Sequence, residues 1–327
     1  MAHPGPIDVQ THYVPPAMLE VIEGRTELPR MIDGPNGKLV EYGPGAAYPV
    51  LTEMVDLDVK LEHMDNAGLG VSLLSLNIPG LDWIDEANAA AVARACNDEL
   101  NAAVDAHPDR FGALAALPLQ VPDAAASELE RTMGLGFNGA MVYSNCNGRH
   151  LDEPQFRQVF DTAGRLDAPV LIHPTYPLSA PTVDAHALIP VIGFLFDTTT
   201  ATLRLILDGI YDRNPEMKLI LGHVGSVIPY ILGRIDLESG RIPGGLGNID
   251  GPVSDHIKKL WIDTVGAWAP AMQLAIDLFG IEKVLYATDH PFWDPAWTDD
   301  ALDELDLSTD DRAAIETENA KALLGIE

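Results

Sequence analysis

Positive charge is scarce in this chain: 20 lysine and arginine residues stand against 49 aspartate and glutamate residues, giving a formal net charge of −29. A surface with this balance repels the phosphates of nucleic acids and the anionic head groups of membranes. Neither nucleic acid nor a membrane is therefore an expected partner. The same negative field disfavours an anionic substrate unless a metal ion or a local arginine offsets it.

Cysteine is scarce as well. Cys96 and Cys146 have neither the spacing of a zinc motif nor the number that a disulfide framework needs. No stretch of the sequence approaches the roughly 18 uncharged apolar residues of a membrane helix. The opening residues, MAHPGPIDVQ, lack the basic and apolar segments of a signal peptide. These absences predict a soluble protein of a reducing compartment, the cytoplasm.

The sequence does contain a repeated strand–helix pattern. Eight short apolar runs, rich in β-branched residues, read as parallel strands buried on both faces. They span 7–13, 70–77, 111–119, 139–145, 168–174, 218–224, 260–265 and 283–291. Helical patterns between them include 57–68, 85–107, 122–136, 153–166 and 197–213. Eight such units predict an α/β fold, a (β/α)₈ TIM barrel formed by one domain over 1–327. The alternative, a doubly wound sheet, would usually show a glycine-rich phosphate turn after the first strand, and none is present.

Residues 14–55 depart from this pattern. The stretch joins the first strand to the first barrel helix, is rich in proline and glycine, and is too long for an ordinary connection. Loops that follow barrel strands lie on the catalytic face. The stretch is therefore predicted to be an insertion that acts as a lid, with a structural hairpin packed on the barrel as the alternative.

Polar residues stand where four of the predicted strands end. They are Gln10 and His12 on the first strand, His173 on the fifth, His223 on the sixth and Asp289 on the eighth. Any one of these histidines alone is more often a hydrogen-bonded core residue. Their shared position in separate strands favours a common site at the barrel mouth. Imidazoles and a carboxylate are suitable ligands for a divalent transition metal with an open coordination position.

The other seven of the ten histidines lie outside this pattern. His63, His107 and His256 belong to helices or helix ends and have no predicted role. His290 follows Asp289 directly, so it either supports the site from behind or turns away from it.

Several segments together resemble a known family. The chain is similar to the amidohydrolase superfamily, in the branch of aminocarboxymuconate-semialdehyde decarboxylase and the aromatic-acid decarboxylases. The resemblance covers nearly the whole chain, and the segment 194–236 is its most specific part. The segments that carry it are IDVQTHYVPP (7–16), LIHPTYP (171–177), 194–236, LWIDTV (260–265) and VLYATDHPF (284–292).

The resemblance implies a ligand set for one divalent ion. His12, His173 and Asp289 match three family ligands, and Gln10 stands where the family has a histidine or glutamate. A neutral amide oxygen coordinates weakly and offsets none of the charge of the metal. Zinc suits this set best, with manganese as the alternative. His223 matches the acid/base of the family, so His223 and Asp289 are the implied catalytic residues.

The resemblance also implies substrate contacts and an assembly. Arg234 matches an arginine that reaches the substrate carboxylate of a neighbouring subunit, which implies a homodimer with shared sites. The alternative is a salt bridge from Arg234 to the nearby Asp236. Some relatives carry an arginine in the insertion, but 31–60 has none, and Arg30 is the nearest candidate.

Three functions remain open at this stage. The first is a metal-dependent non-oxidative decarboxylase of a small aromatic or muconate-like acid. The second is a hydrolase of a lactone, an amide or a vinylogous C–C bond on the same scaffold. The third, suggested by Gln10, is a barrel that has lost its metal and binds a ligand without turnover. The lack of an arginine in 31–60 counts against the first function, and the segment 194–236 counts for it.

Overall fold

The computed structural model describes residues 5–326, and its strands follow the predicted order. Eight parallel strands are joined by helices, and three additional antiparallel strands lie in the insertion. The strands are β1 (Ile7–Tyr13), β2 (Arg30–Gly34), β3 (Gly37–Gly43), β4 (Ala46–Pro49), β5 (Val71–Leu76), β6 (Phe111–Ala113), β7 (Ala115–Ala116), β8 (Ala140–Tyr143), β9 (Asn145–Cys146), β10 (Arg149–His150), β11 (Val170–His173), β12 (Leu219–Leu221), β13 (Trp261–Asp263) and β14 (Val284–Leu285).

The parallel strands close into a ring. β1 pairs with β5 and β5 with β6, while β7, β8, β11, β12, β13 and β14 pair in chain order. β6 and β7 are two parts of one strand, because the intervening Leu114 donates its N–H to the carbonyl of Leu74. The ring closes where Val9 donates to Tyr286 (3.0 Å) and Asp289 donates to Gln10 (2.9 Å). The predicted TIM barrel is therefore confirmed.

Helices surround this barrel. The five predicted helical segments are all present. Four of them keep their predicted ends to within four residues, whereas the predicted segment 197–213 divides into two helices, Phe194–Leu207 and Ile210–Arg213. The α-helices span Pro16–Ile22, Leu57–Ala67, Glu86–Ala106, Pro122–Leu135, Arg157–Arg165, Phe194–Leu207, Ile210–Arg213, Ile228–Arg241, Val253–Ile257, Ala269–Phe279, Pro295–Asp303, Thr309–Ala313 and Asn319–Leu324. The prediction of one domain over 1–327 is not tested by this architecture, and both of its ends lie outside the described residues.

Local sequence explains where the helix Leu57–Ala67 begins and ends. The Asp56 carboxylate accepts hydrogen bonds from the N–H groups of Asp58 and Val59, which caps the first turn. Gly68 adopts a left-handed backbone (φ 69°) and ends the helix, a conformation that glycine reaches without a steric penalty. This helix carries His63 and Lys60, which lie one turn apart on the same face.

One stretch, Ile189–Leu207, is long and apolar enough to cross a membrane by length and composition alone. The sequence analysis did not single it out. Half of its most apolar window is buried inside the protein. Core helices of soluble proteins have the same character, and this stretch also carries the buried Asp197, which accepts hydrogen bonds from Ser144 and Asn145.

The insertion folds into a three-stranded antiparallel sheet in the order β2–β3–β4. It reaches the barrel through buried tyrosines. The Tyr48 hydroxyl donates to the carbonyl of Ile78 (2.6 Å), and the Tyr48 ring packs edge-on against Phe292 at 5.7 Å. Tyr42 lies beside Tyr48 at 6.0 Å. The insertion is thus a small sheet packed against the barrel mouth, and its role as a lid remains a prediction.

Candidate metal centre

Three predicted ligands meet at the carboxyl ends of the barrel strands. One ligand atom from each of His12, His173 and Asp289 lies within 4.8 Å of the others. His12 Nε2 is 2.9 Å from Asp289 Oδ1, and His173 Nε2 is 3.8 Å from the same oxygen. All three residues are buried. These spacings bracket the roughly 3.3 Å that separates neighbouring ligands of a tetrahedral ion held at about 2.0–2.1 Å.

The histidine rings are oriented from behind. His173 Nδ1 donates to the carbonyl of Pro174 at 2.7 Å. Its Nε2 therefore presents a lone pair toward Asp289, and no described residue hydrogen-bonds to that buried nitrogen. His12 Nδ1 lies 3.4 Å from the hydroxyl of Ser75, which donates to the carbonyl of Thr11. Fixing one ring nitrogen so that the other faces the centre is the arrangement that metal-binding histidines use.

Gln10 also reaches the centre, through its nitrogen. Gln10 Nε2 donates to Asp289 Oδ1 at 3.0 Å, and the buried Oε1 has no hydrogen-bond partner among the described residues. That oxygen lies beside Gly222, where an added Cβ would stand 3.0 Å from Gln10 Oε1 and 3.2 Å from Asp263 Oδ2. Asp263 Oδ2 is likewise unpaired. Because Gly222 has no Cβ, Gln10 Oε1 and Asp263 Oδ2 both border the small space beside it, and neither oxygen has a hydrogen-bond partner among the described residues.

A strained turn directs His223 toward the centre. His223 and Val224 both adopt the left-handed region (φ 60° and 56°), which is unfavourable for residues with a Cβ and especially for a β-branched one. The Asp263 carboxylate holds the turn by accepting from the Val224 N–H (3.2 Å) and the Val265 N–H (3.1 Å). His223 Nε2 thereby comes 3.9 Å from Asp289 Oδ2.

The charges of these groups suit a cation. Burial raises the pKa of Asp289, but the hydrogen bond with His12 and the nearby rings of His173 and His223 outweigh this and hold the pKa well below its usual range. Burial lowers the pKa of His173, although Asp289 opposes the change. An ionised carboxylate beside neutral imidazoles is the protonation state that metal binding requires.

The pKa of His223 differs from expectation. Burial lowers it to about 4, with Asp289 raising it and His173 lowering it further. An acid/base that acts at pH 7 requires a pKa near neutrality. Removing the ring from water disfavours its charged form more than the single nearby carboxylate favours it, so burial favours the neutral form of His223.

The cavity at the barrel mouth has a volume of about 290 Å³ and is bordered by His12, His173, His223 and Asp289. Its walls are largely aromatic and come from both the barrel and the insertion: Tyr42, Tyr48, Phe194, Phe292 and Trp293. Asn77 adds a polar group, and both heavy atoms of its amide are buried without a hydrogen-bond partner among the described residues. A small, mostly apolar cavity with a few convergent polar groups is typical of a small-molecule site.

The two predicted substrate arginines lie outside this cavity. Arg30 pairs with Glu41 across β2 and β3 at 2.7 Å, so its charge is already neutralised and it does not reach the barrel mouth. Arg234 is exposed on the helix Ile228–Arg241. The suggested salt bridge with Asp236 is absent from the described residues, since Asp236 accepts from the Ser254 N–H instead (2.8 Å).

A family model described as amidohydrolase matches residues 7–326. The chain belongs to the amidohydrolase family. This confirms the family resemblance.

The relatives of this amidohydrolase are decarboxylases. The gamma-resorcylate decarboxylase of Rhizobium radiobacter is 33% identical over 285 residues, covering 83% of this chain and 87% of the relative. The 2-amino-3-carboxymuconate-6-semialdehyde decarboxylase of Dictyostelium discoideum is 29% identical over 242 residues, covering 72% and 67%. The structure of a dihydroxybenzoic acid decarboxylase from Polaromonas sp. JS666, with manganese and the inhibitor 2-nitroresorcinol, superimposes with a TM-score of 0.83 at 29% identity, covering 98% and 97%.

Two residues of the site were not identified from the sequence. Asn77 is the last residue of the predicted second strand, so the strand-end rule that selected His12 and His173 applies to it equally. Asp263 lies within the predicted strand 260–265, but nothing in the sequence indicates that its carboxylate supports a turn on the neighbouring strand. Only the three-dimensional pairing of β12 with β13 reveals that contact.

Proposed function

We propose that this amidohydrolase is a metal-dependent non-oxidative decarboxylase, a carbon–carbon lyase, of a small aromatic or muconate-like carboxylic acid. The observation that carries the proposal is the unpaired Nε2 of His173, aimed at an ionised Asp289 inside a small aromatic cavity beside His223. The activities named for the relatives support decarboxylation over hydrolysis.

His12, His173 and Asp289 would hold one divalent ion, either manganese, which the Polaromonas structure contains, or zinc. Bound there, such an ion acts as a Lewis acid that holds a substrate carboxylate together with an adjacent oxygen. It would also supply positive charge that this acidic chain otherwise lacks at the cavity. Elemental analysis of protein purified without chelator identifies the metal.

Gln10 fits the centre better after a half-turn of its amide. Rotation by 180° about the last side-chain bond exchanges oxygen and nitrogen. Oε1 would then take the place of Nε2 beside Asp289 Oδ1, where it could help to hold the ion, and Nε2 would take the place of Oε1 beside Gly222, which Asp263 Oδ2 also borders. Among the described residues, neither Gln10 Oε1 nor Asp263 Oδ2 has a hydrogen-bond partner in the present orientation. We propose Gln10 as a weak fourth ligand on this basis.

His223 would deliver the proton. In the reaction the bond between the ring carbon and the carboxylate breaks, carbon dioxide leaves, and the same carbon accepts a proton from the imidazole. A pKa of about 4 leaves little of His223 in the protonated form at pH 7. An anionic substrate within contact distance stabilises the imidazolium and raises this pKa, so the acid form is favoured when substrate is bound.

Asn77 would bind a substrate oxygen. Its buried amide offers two donors and one acceptor to the cavity and makes no hydrogen bond of good geometry with a described residue. It lies close enough to the Tyr48 hydroxyl to lower the pKa of that group against the larger effect of burial. A buried amide left unpaired costs roughly 1–3 kcal/mol, which a phenol or carboxylate oxygen of a substrate would recover. This contact would take part of the role that an arginine of the insertion plays in some relatives.

We propose a soluble, cytoplasmic homodimer in which Arg234 completes the site of the partner. Tyr230, Arg234 and Leu237 share one helical face, and Tyr230 and Leu237 are 85% and 65% exposed. The aromatic Trp268, 64% exposed, adds to this patch. An exposed apolar patch around a free arginine is typical of an interface. Mixing Arg234→Ala with His223→Ala protein tests it, because a shared site regains activity in mixed dimers.

A substrate panel tests the proposed chemistry. Benzoates with an ortho hydroxyl are expected to release carbon dioxide and yield the phenol, because the ion can hold the carboxylate and the hydroxyl together. The matched para-hydroxybenzoates, which cannot chelate in this way, should react far more slowly. Ring opening of small lactones without release of carbon dioxide from any benzoate would overturn the decarboxylase proposal in favour of hydrolysis. Substoichiometric metal, with no activity on adding manganese or zinc, would indicate a binding protein.

A further inference from the structure

A second group of metal-ligating side chains lies on the outer side of the barrel wall. Glu53, His63 and His290 each offer one ligand atom, and these atoms lie within 4.8 Å of one another. Glu53 comes from the turn Thr52–Met54 before the first barrel helix, and His63 from that helix, Leu57–Ala67. His290 follows Asp289 at the seam where β14 meets β1. None of the three contributes to the proposed decarboxylase centre.

The spacing within this outer cluster fits an ion. His290 Nε2 is 3.4 Å from His63 Nδ1, close to the roughly 3.3 Å between neighbouring ligands of tetrahedral zinc. Glu53 Oε1 lies 4.0 Å from the same His63 nitrogen. If His63 and His290 formed only a hydrogen-bonded pair, no carboxylate would need to lie near His63 Nδ1. The Glu53 side chain is only 18% exposed although it could extend into solvent.

The surroundings also favour a cation. The three side chains border an open cavity of about 560 Å³, and the carboxylates of Asp294 and Asp299 line it as well. Solvent access leaves room for water as a fourth ligand. Two cations among the described residues oppose the binding of an ion there. Arg312 lies 3.7 Å from Asp299, and the buried Lys60 contacts His290 from the other side, with Nζ 3.2 Å from Nδ1. Lys60 therefore fixes the ring and leaves Nε2 directed toward His63.

The protons balance when an ion enters. Without metal, Lys60 donates to Nδ1 of His290, so the ring proton lies on Nε2 and is shared with His63 Nδ1. An entering ion displaces that one proton to solvent. His63 already presents a lone pair and keeps its own proton on Nε2. The His290 ring then shares the proton that Lys60 donates, which lies between Nζ of Lys60 and Nδ1 of His290.

We propose that Glu53, His63 and His290 form a second site for a divalent transition metal of the zinc type. The bound ion would join the helix Leu57–Ala67 to the segment that carries Asp289. The site is separate from the decarboxylase centre, and the inference stands whether or not the proposed reaction is correct.

Zinc titration of the full chain tests the site without measuring activity. The His173→Ala variant removes a ligand of the inner centre, and it should still bind one equivalent of zinc. Adding His63→Ala should weaken that equivalent by more than about 100-fold, since even losing a residue behind a ligand costs 10–100-fold. Glu53→Gln should weaken it less, and the matched His107→Ala change should leave it intact, because His107 packs on Phe111 in neither cluster.

Cobalt gives an independent readout. In the His173→Ala background, Co²⁺ should show the visible absorption of a tetrahedral site, and His63→Ala should abolish it. The proposal is overturned if His173→Ala protein binds no zinc, or if it binds zinc equally well after His63→Ala. Retained helical circular dichroism in each variant verifies that the losses are local.

Discussion

The two clusters of histidines and carboxylates are built on opposite sides of one backbone turn. Asp289, with a left-handed backbone (φ 59°), faces the barrel interior, and the next residue, His290, faces outward. The inner cluster is buried and gathers side chains from strand ends, whereas the outer cluster places an exposed His63 and a partly buried Glu53 around one buried ring. The strand ends that carry the inner ligands are fixed by neighbouring strands on both sides. The helix surface that carries His63 and the turn that carries Glu53 have no such support.

This difference predicts different behaviour. The inner site is pre-organised by hydrogen bonds behind each ligand and is closed by aromatic residues, so it suits chemistry that needs exact placement. The outer site is open to water and has ligands that can adjust, so it suits an ion that stabilises rather than catalyses. Variants that separate the two sites test this comparison directly.

Asp289→Ala should have the largest effect. Its carboxylate contacts Gln10, His12 and His173 at once, so its loss removes a ligand and the charge that holds the cluster together. Metal at the inner site and decarboxylase activity should disappear together, with turnover falling by at least about 10³-fold, since a Lewis acid contributes several kcal/mol. Inner metal retained at full stoichiometry would contradict the assignment of the ligand.

His223→Ala should separate chemistry from metal binding. The imidazole lies 3.9 Å from Asp289 Oδ2 and is not needed to hold an ion. Metal content should stay unchanged while kcat falls by on the order of 10²–10⁴, the usual contribution of a positioned acid or base. Nearly full activity in this variant would show that another group delivers the proton.

Asn77→Ala should affect substrate recognition. If its amide binds a substrate oxygen, kcat/KM should fall by roughly 10–100-fold, the cost of one buried hydrogen bond. Metal content should not change, because Asn77 lies outside the ligand set. A substrate analogue without that oxygen should be used equally well by both proteins, and an equal loss for every substrate would point to a packing defect instead.

The fold and the inner ligands were predictable because each follows a rule that acts along the chain. A strand buried on both faces has to be apolar throughout, as Leu219–Leu221 is, and catalytic side chains of a barrel stand where such strands end. His12, His173 and Asp289 are found in this way, and their roles as ligands stay predictions. Asn77 satisfies the same rule and was missed because the search favoured the imidazoles and carboxylates that suit a transition metal.

The remaining features depend on contacts between distant segments. Arg30 was predicted to approach the substrate, but antiparallel pairing of β2 with β3 places it opposite Glu41. His63 has no pattern in the sequence, since one histidine on an exposed helix face resembles any other polar residue. His290 turns away from the inner centre because the backbone reverses at Asp289, and a single left-handed residue of this kind cannot be read from the sequence.

Gln10→His should strengthen the inner site by a smaller factor. A histidine at this position replaces a neutral amide with a stronger nitrogen ligand, so metal affinity should rise about tenfold, or roughly 1.4 kcal/mol. The outer equivalent should keep its affinity, which a chelator competition resolves. Unchanged inner affinity would show that position 10 contacts Asp289 without reaching the ion.

Asp82→Asn provides a baseline, because Asp82 is a buried carboxyl outside both clusters. Burial raises its pKa to about 7, with a hydrogen bond from Cys146 opposing the change. The folded protein therefore binds a proton at Asp82 that the unfolded chain releases above about pH 4, so this contribution to stability is lost as pH rises from about 4 through 7. The free energy of unfolding of the wild type should fall between pH 5 and pH 8, whereas that of the asparagine variant should not fall in this way. The difference between the two proteins should therefore shift in favour of the variant by on the order of 1 kcal/mol, as measured by urea unfolding. Equal pH dependence of stability in both proteins would mean that Asp82 ionises freely. Added metal should not alter the stability difference between the two proteins, because Asp82 lies outside both clusters, whereas substitutions within the clusters should make stability depend on metal.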